Sequence, residues 1–332
     1  MLYYEKLENK IHEKASLNGR GQFIVISGYI GYEPIHQLAE KLPNVNITVI
    51  YGMYGSDGIS APLHNALVDI HRKMSNVKIY YSLKPVHSKI YYKQTDDDIC
   101  SILMGSANFS VSGLRNDYKE VLSDVNEDSY KDFSKYLEFV RQWCVECTDE
   151  SIKVKRVLKV PNKTRKEEVL LQKNICRISF LDKNGRVPQK SGLNWCHSKG
   201  KVAIGDAYIP IKRDNIMKFP KMFPPKKYVG GKDNDNYSGK KQRENDEVEL
   251  IWDDGTVMIG LLEGQFKHNG VIYPKQLSSS PHKSILGKYI RERLGVSLNH
   301  IITKSDLNKY GRTHIDVSLI SEGIYYINFS IK

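Results

Sequence analysis

The sequence predicts an α/β sandwich with a mainly parallel central sheet, followed by a second, mainly β domain. Three observations carry this. From Met1 to about Thr148, short Val/Ile-rich runs alternate with segments of helical spacing, the pattern of a sheet buried on both faces. Residues 149–172 are highly charged and contain Pro161, the composition of a connector. After them strand patterns dominate, and W-D-D-G-T carries the Asp-Gly signature of a tight hairpin.

In order along the chain, F-I-V-I-S-G-Y-I, ending at Ile30, reads as a buried strand. E-P-I-H-Q-L-A-E-K-L has helical spacing, and V-N-I-T-V-I-Y-G-M is a second strand. A helix from Ala61 to Met74 leads into the strand V-K-I-Y-Y, and a hairpin-like pair of strands follows over 87–108. An amphipathic helix from Ser129 to Cys147 closes the unit. Beyond the connector, I-C-R-I-S-F-L, A-Y-I-P-I, E-V-E-L-I-W, T-V-M-I-G-L-L, V-I-Y-P, H-I-D-V-S-L-I and G-I-Y-Y-I-N-F read as strands, with one helix near Ser284–Leu294. The predicted boundaries are therefore 1–148, a connector over 149–172, and 173–332.

A formal net charge of +12 points to a polyanionic partner, nucleic acid or an acidic membrane surface. No apolar run reaches the roughly 18 residues of a membrane span, and M-L-Y-Y-E-K-L-E-N-K lacks the order of a signal peptide. Five cysteines, an odd and sparse set, fit reduced thiols in the cytoplasm better than a disulfide framework. Cys144 and Cys147 form a C-x-x-C pair, but one pair does not complete a zinc site, so no metal is expected. Residues 212–243 carry ten Lys/Arg against three Asp, among proline, glycine and aromatics. Such a loop suits a phosphate backbone, or serves only to solubilise.

The chemistry concentrates in H-S-K-I-Y-Y-K-Q-T-D-D-D-I-C-S-I-L-M-G-S-A-N-F-S. His87 and Lys89, two apart on a strand, share a face. The second strand enters a glycine turn that brings Asn108 beside them. A phosphodiester needs an aligned nucleophile, positive charge on its non-bridging oxygens and a proton for the leaving oxygen. His87 supplies the nucleophile, Lys89 the charge and Asn108 an amide donor; Ser106 donates to the phosphate or braces the turn. Gly105 keeps a side chain out of the anion's way. Glu120 is the expected carboxylate orienting His87, with Asp117 and Asp124 as competitors. No second histidine has comparable surroundings, so two copies of the chain are expected to share one site across a two-fold axis. His12, His36, His64 and His71 lie in helical or pre-helical stretches and read as surface or interface residues.

These residues resemble the phospholipase D superfamily. His87, Lys89, Gly105, Ser106 and Asn108 match its H-x-K and G-S-x-N elements, whereas Gln94 stands where the family has an aspartate. S-G-L-N-W, D-A-Y-I-P-I, K-S-I-L-G-K-Y-I-R-E-R-L-G-V and T-K-S-D-L-N-K-Y-G-R-T-H-I-D-V resemble the C-terminal half of NgoFVII-type restriction endonucleases. The resemblance implies a phospholipase D-like nuclease sandwich followed by a B3-like pseudobarrel that clasps the DNA major groove with two loop arms. It also implies a homodimer, double-stranded DNA as partner and, in some relatives, a separate ATP-dependent helicase-like subunit; no cofactor is implied.

On that basis Arg186, Gln189, Lys190, Asn194, His197 and Lys199 belong to the first arm, residue types that bond base edges or phosphates. Trp195 packs the arm's base. Gln265, Lys267, His268 and Asn269 belong to the second arm, and Arg312 reads either as a phosphate contact or as a structural ion pair. The leading expectation is a metal-independent, sequence-specific restriction endonuclease working through a phosphohistidine. A non-specific nuclease, a DNA-binding protein with a degenerate site and a lipid phosphodiesterase are the alternatives, the last disfavoured by the single motif and the basic β-rich half.

Overall fold

The computed structural model describes residues 1–95, 98–115, 120–155, 175–225 and 245–331. The chain divides into two compact units, 1–157 and 158–332.

In the first unit, the strands among the described residues are β1 (Leu2–Tyr3), β2 (Gln22–Ser27), β3 (Asn46–Tyr51), β4 (Ile59–Ser60), β5 (Val77–Ser82), β6 (Ile90–Thr95), β7 (Asp98–Gly105), β8 (Leu122–Asp124), β9 (Cys144–Glu146) and β10 (Val154–Lys155). The α-helices among its described residues are α1 (Leu7–Ala15), α2 (Tyr32–Lys41), α3 (Tyr54–Asp57), α4 (Ala61–Lys73), α5 (Val111–Arg115) and α6 (Tyr130–Arg141). Eight strands form one sheet in the order β1-β8-β7-β6-β2-β3-β5-β9. Five of them, β1, β2, β3, β5 and β7, run the same way, and the parallel neighbours are β2–β3 and β3–β5.

Burial explains the continuous apolar runs. Ile24, Ile26, Ile50, Ile90 and Ile102 lie in one core with Leu137 and Val140 of α6. Alternate residues Phe23, Val25, Val49, Ile79 and Tyr91 are just as buried, with α1 packed on β6 and α4 on β5. Ser60 caps α4 through the Leu63 N–H, with Pro62 in the first turn.

Two expectations change here. The helix over 129–147 ends at Arg141, because Cys144–Glu146 is a strand that hydrogen-bonds to the edge of β5. Burial raises the Cys147 thiol to about 12 and that of Cys144 to about 11. Among the described residues no group of His, Cys, Asp or Glu gathers around them as ligands. The connector expected from 149 begins later, since Val154 and Lys155 pair with β4 inside the first unit; residues 156–172 lie outside the described residues.

The second unit contains β11 (Ile175–Ser179), β12 (Ile209–Pro210), β13 (Asp246–Trp252), β14 (Val257–Glu263), β15 (Phe266–His268), β16 (Val271–Tyr273), β17 (Gln276–Ser279), β18 (His314–Ser321) and β19 (Ile324–Asn328). Its helices are α7 (Arg213–Lys218), α8 (Lys283–Leu294) and α9 (Lys304–Tyr310). Seven strands form a sheet in the order β11-β18-β19-β13-β14-β17-β12, antiparallel except for β13–β19. The sheet curls into a nearly closed barrel. Asn215 of α7 donates to Arg177 O of β11 at 3.0 Å, which brings the chain beyond β12 against the other terminal strand. Trp252, Leu250, Phe223, Ile290 and Ile315 fill the interior. A capping box between Thr303 and Asp306 starts α9.

Candidate active site and DNA-binding arms

The site forms where β2 ends and β6 begins. His87 and Lys89 lie on the extended lead into β6, and Gly105 N–H donates to Lys89 O at 3.2 Å, so the ladder with β7 reaches back to the lysine. Lys89 is 6% exposed, whereas His87 is exposed at the surface. Lys89 Nζ donates to His87 O at 2.6 Å and lies 3.1 Å from His87 Nε2. An ammonium has no lone pair, so Nε2 must accept this bond, and a neutral ring then carries its proton on Nδ1. Burial lowers the Lys89 ammonium below the ordinary lysine range, and the carboxylate of Glu120 works against that shift.

Asn108 reaches the same place from the turn after β7. Its Oδ1 accepts from the Tyr29 N–H at 3.1 Å, so the amide nitrogen is the end left to donate to a phosphate oxygen. Ser27 holds the turn, accepting from Phe109 N at 2.9 Å and donating to Tyr29 O at 2.6 Å. Ser106 is strapped to Val121 by two bonds: its N–H donates to Val121 O at 2.9 Å, and its Oγ accepts from Val121 N at 3.1 Å. Glu120 precedes this strap in the chain, and its charge is felt by Lys89. Gly105 is needed for a different reason from the one expected: a Cβ there would sit 2.0 Å from Val121 O, so it serves close strand packing.

Of the competing carboxylates, Asp124 is engaged elsewhere, with Lys14 at 2.7 Å and the Tyr3 hydroxyl at 2.8 Å. Asp117 lies outside the described residues. His71 is structural, its Nδ1 accepting from Ile79 N at 3.1 Å while Nε2 meets Glu146 at 2.9 Å.

Three residues escaped the sequence reading. A Cβ on Gly28 would stand 2.7 Å from His87 Cδ2 and 3.2 Å from Lys89 Nζ, so this glycine gives the imidazole its seat. Tyr29 sets its ring edge-on to His87, with centroids 6.0 Å apart at 80°. The Tyr29 hydroxyl donates to Asp57 Oδ2 at 2.5 Å. The signal was S-G-Y at the carboxyl end of a buried parallel strand, the place where α/β sheets build sites.

In the second unit, the first arm spans the residues between β11 and β12. Arg186, Gln189, Lys190 and Lys199 are exposed along it. Trp195 packs edge-on against Tyr208 at 5.6 Å at the arm's base. The second arm is the hairpin β15–β16, turning at Asn269 and Gly270, both at positive φ. Gln265, Lys267 and Asn269 are exposed on it, and His268 is half-buried, stacked on Phe266. The arms are rooted side by side: Lys212 Nζ donates to Leu181 O at 3.0 Å, and Ile211 N donates to Lys275 O at 2.9 Å.

One expected arm contact, Asn194, is corrected, and the open reading of Arg312 resolves to an ion pair. Asn194 is fully buried; its Nδ2 donates to Pro188 O at 3.0 Å and Ile302 O at 2.8 Å, and its Oδ1 accepts from Ile302 N at 2.8 Å. Its amide is used up in pinning the arm. Asn194→Ala is therefore expected to cost about 2–3 kcal/mol in urea unfolding while the sequence at DNA ends stays unchanged. Arg312 is a structural ion pair, bonded to Asp316 at 2.5 Å, Asn328 at 2.8 Å and Ser330 O at 2.9 Å. His197 is half-buried, and its Nε2 has no hydrogen-bond partner among the described residues. The basic loop's residues 226–243 lie outside the described residues.

A sandwich presenting His-Lys-Asn-Ser at its strand ends, joined to a barrel with two polar arms, defines a phospholipase D-like DNA nuclease with its own DNA-binding domain. The profile of the NgoFVII restriction endonuclease N-terminal PLD domain matches residues 5–154, and that of the NgoFVII C-terminal B3-like DNA-binding domain matches residues 169–321. The chain belongs to this restriction endonuclease family. Among solved structures it is similar to NucT from Helicobacter pylori, at 17% identity over 44% of this chain and 97% of that one, TM-score 0.36. It is also similar to Nuc, a phospholipase D family member from Salmonella typhimurium, at 9% identity over 44% and 95%, TM-score 0.31. No curated protein matches the chain. Among the described residues, no helix is long and apolar enough to cross a membrane.

Proposed function

We propose that this nuclease is a sequence-specific, metal-independent endonuclease cutting through a covalent phosphohistidine at a site shared by two copies of the chain. The observation that carries it is the Lys89 ammonium 3.1 Å from His87 Nε2. It leaves that nitrogen as the ring's lone-pair bearer and puts a partly desolvated cation where an incoming phosphate would lie.

In the first step Nε2 attacks phosphorus, the bond to the leaving oxygen breaks, and the imidazolium of the second copy's His87 protonates that oxygen. Lys89 and the Asn108 amide carry charge on the non-bridging oxygens, and Glu120 is assigned to orient the attacking ring. Water then gives a proton to the second histidine and attacks phosphorus, breaking the P–N bond and restoring His87. Arg186, Gln189, Lys190, Lys199, Gln265, Lys267, His268 and Asn269 read the DNA from the arms, and an ATP-dependent helicase-like subunit is a further candidate partner. The charged, arm-bearing domain favours DNA over a lipid headgroup.

The test is purified protein on unmethylated DNA of known sequence in excess chelator, with the fragment ends sequenced. Ends sharing one sequence are expected. Random ends would overturn specificity, and cleavage that needs an added divalent ion would overturn the metal-independent step.

A further inference from the structure

We propose that Tyr29 and Asp57 form a positioning pair for the nucleophile, holding His87 and Asn108 in one geometry. The inference rests on the nuclease reading above and adds residues outside the His-Lys-Asn set. Tyr29 meets the site at both ends. Its N–H fixes Asn108 Oδ1 at 3.1 Å, while its ring edge flanks His87 with centroids 6.0 Å apart. What locks the ring is its hydroxyl, which donates to Asp57 Oδ2 at 2.5 Å.

Asp57 is built to hold that hydroxyl. Its other oxygen accepts from Ser56 Oγ at 2.8 Å, and Lys155 of β10 donates to its backbone carbonyl. The bond from Tyr29 lowers the Asp57 carboxyl below its ordinary range, and Ser56 and Lys155 add to the effect. Asp57 therefore stays an anion, the strongest acceptor for a phenol. The imidazole is then held between Gly28, the Lys89 ammonium and the Tyr29 ring, leaving little room to rotate. An attacking nitrogen gains rate from such restriction only in the step that needs alignment, so the pair acts on kcat and not on DNA affinity.

Tyr29→Phe keeps the ring and the backbone N–H, and Asp57→Asn keeps the size of the acceptor. Each is expected to lower single-turnover kcat about tenfold, with KM within twofold. The double variant should lose no more than either alone, because both remove one bond. With ¹³C-labelled histidine, both substitutions should also shift the His87 ring signals, identified by their loss in His87→Ala. Wild-type kcat in both variants, losses that multiply, or unmoved His87 signals would overturn the pair. A wild-type protein that does not cut DNA would instead remove the nuclease reading, and the ring signals would still decide the geometry.

Discussion

His87→Ala should lose at least roughly 10⁴-fold in cleavage while DNA binding stays within twofold, because it removes the nucleophile. His87 is exposed, so the truncation empties surface and not core. Lys89→Ala should cost less, about 10²–10³-fold. A charge 4 Å from a phosphate at an effective dielectric of 20 contributes roughly 4 kcal/mol, and Asn108 supplies part of the same stabilisation. Lys89 is 6% exposed, so its loss should also register modestly in thermal stability. Single-turnover cleavage beside a gel-shift titration separates these terms. If two copies share one site, mixing His87→Ala with wild-type protein should depress activity below the wild-type share. Cleavage by His87→Ala above about one per cent of wild type would move the nucleophile to another side chain.

How much of this was legible in the sequence depended on the range of the interaction. Local pattern found the buried strands, because F-I-V-I is apolar on both faces only in a covered sheet. His87, Lys89 and Asn108 were visible as well, since chemistry restricts which residue types stand at that spacing. Asn194 misled, and Arg312 stayed open between a phosphate contact and an ion pair, because polarity alone does not separate a side chain that reads DNA from one that holds the fold. The decisive partners, Ile302 for Asn194 and Asp316 with Asn328 for Arg312, meet only through tertiary folding. Tyr29 and Asp57 were missed for the same reason. They stand 28 residues apart, on a loop and a one-turn helix without periodicity, and their contact follows from β2 and β3 lying side by side. The end of the helix near Arg141 was hidden because C-V-E fits either state, and pairing with β5 decides it.

Gly28→Ala is the second large effect. It is expected to lower kcat about 10²-fold with almost no change in melting temperature or DNA affinity. The added methyl would lie 2.7 Å from His87 Cδ2, closer than side chains tolerate, and 3.3 Å from Nε2 itself. Something must yield, and the neighbour is an exposed ring on a loop, so the ring moves before the sheet does. The folding cost is small for that reason. The catalytic cost is not, since a displacement on the order of 1 Å at the attacking atom forfeits about two orders of magnitude in rate. The same displacement breaks the Nε2 contact with Lys89, whose Nζ would itself lie 3.2 Å from the new methyl. Nucleophile and phosphate-binding cation are disturbed together. A parallel Gly105→Ala substitution provides the contrast: its methyl would meet Val121 O at 2.0 Å, backbone that cannot swing aside. That variant should fall in melting temperature along with activity, whereas Gly28→Ala should separate the two. Wild-type turnover in Gly28→Ala would show that the ring has room to spare and that its seat is not set by the end of β2.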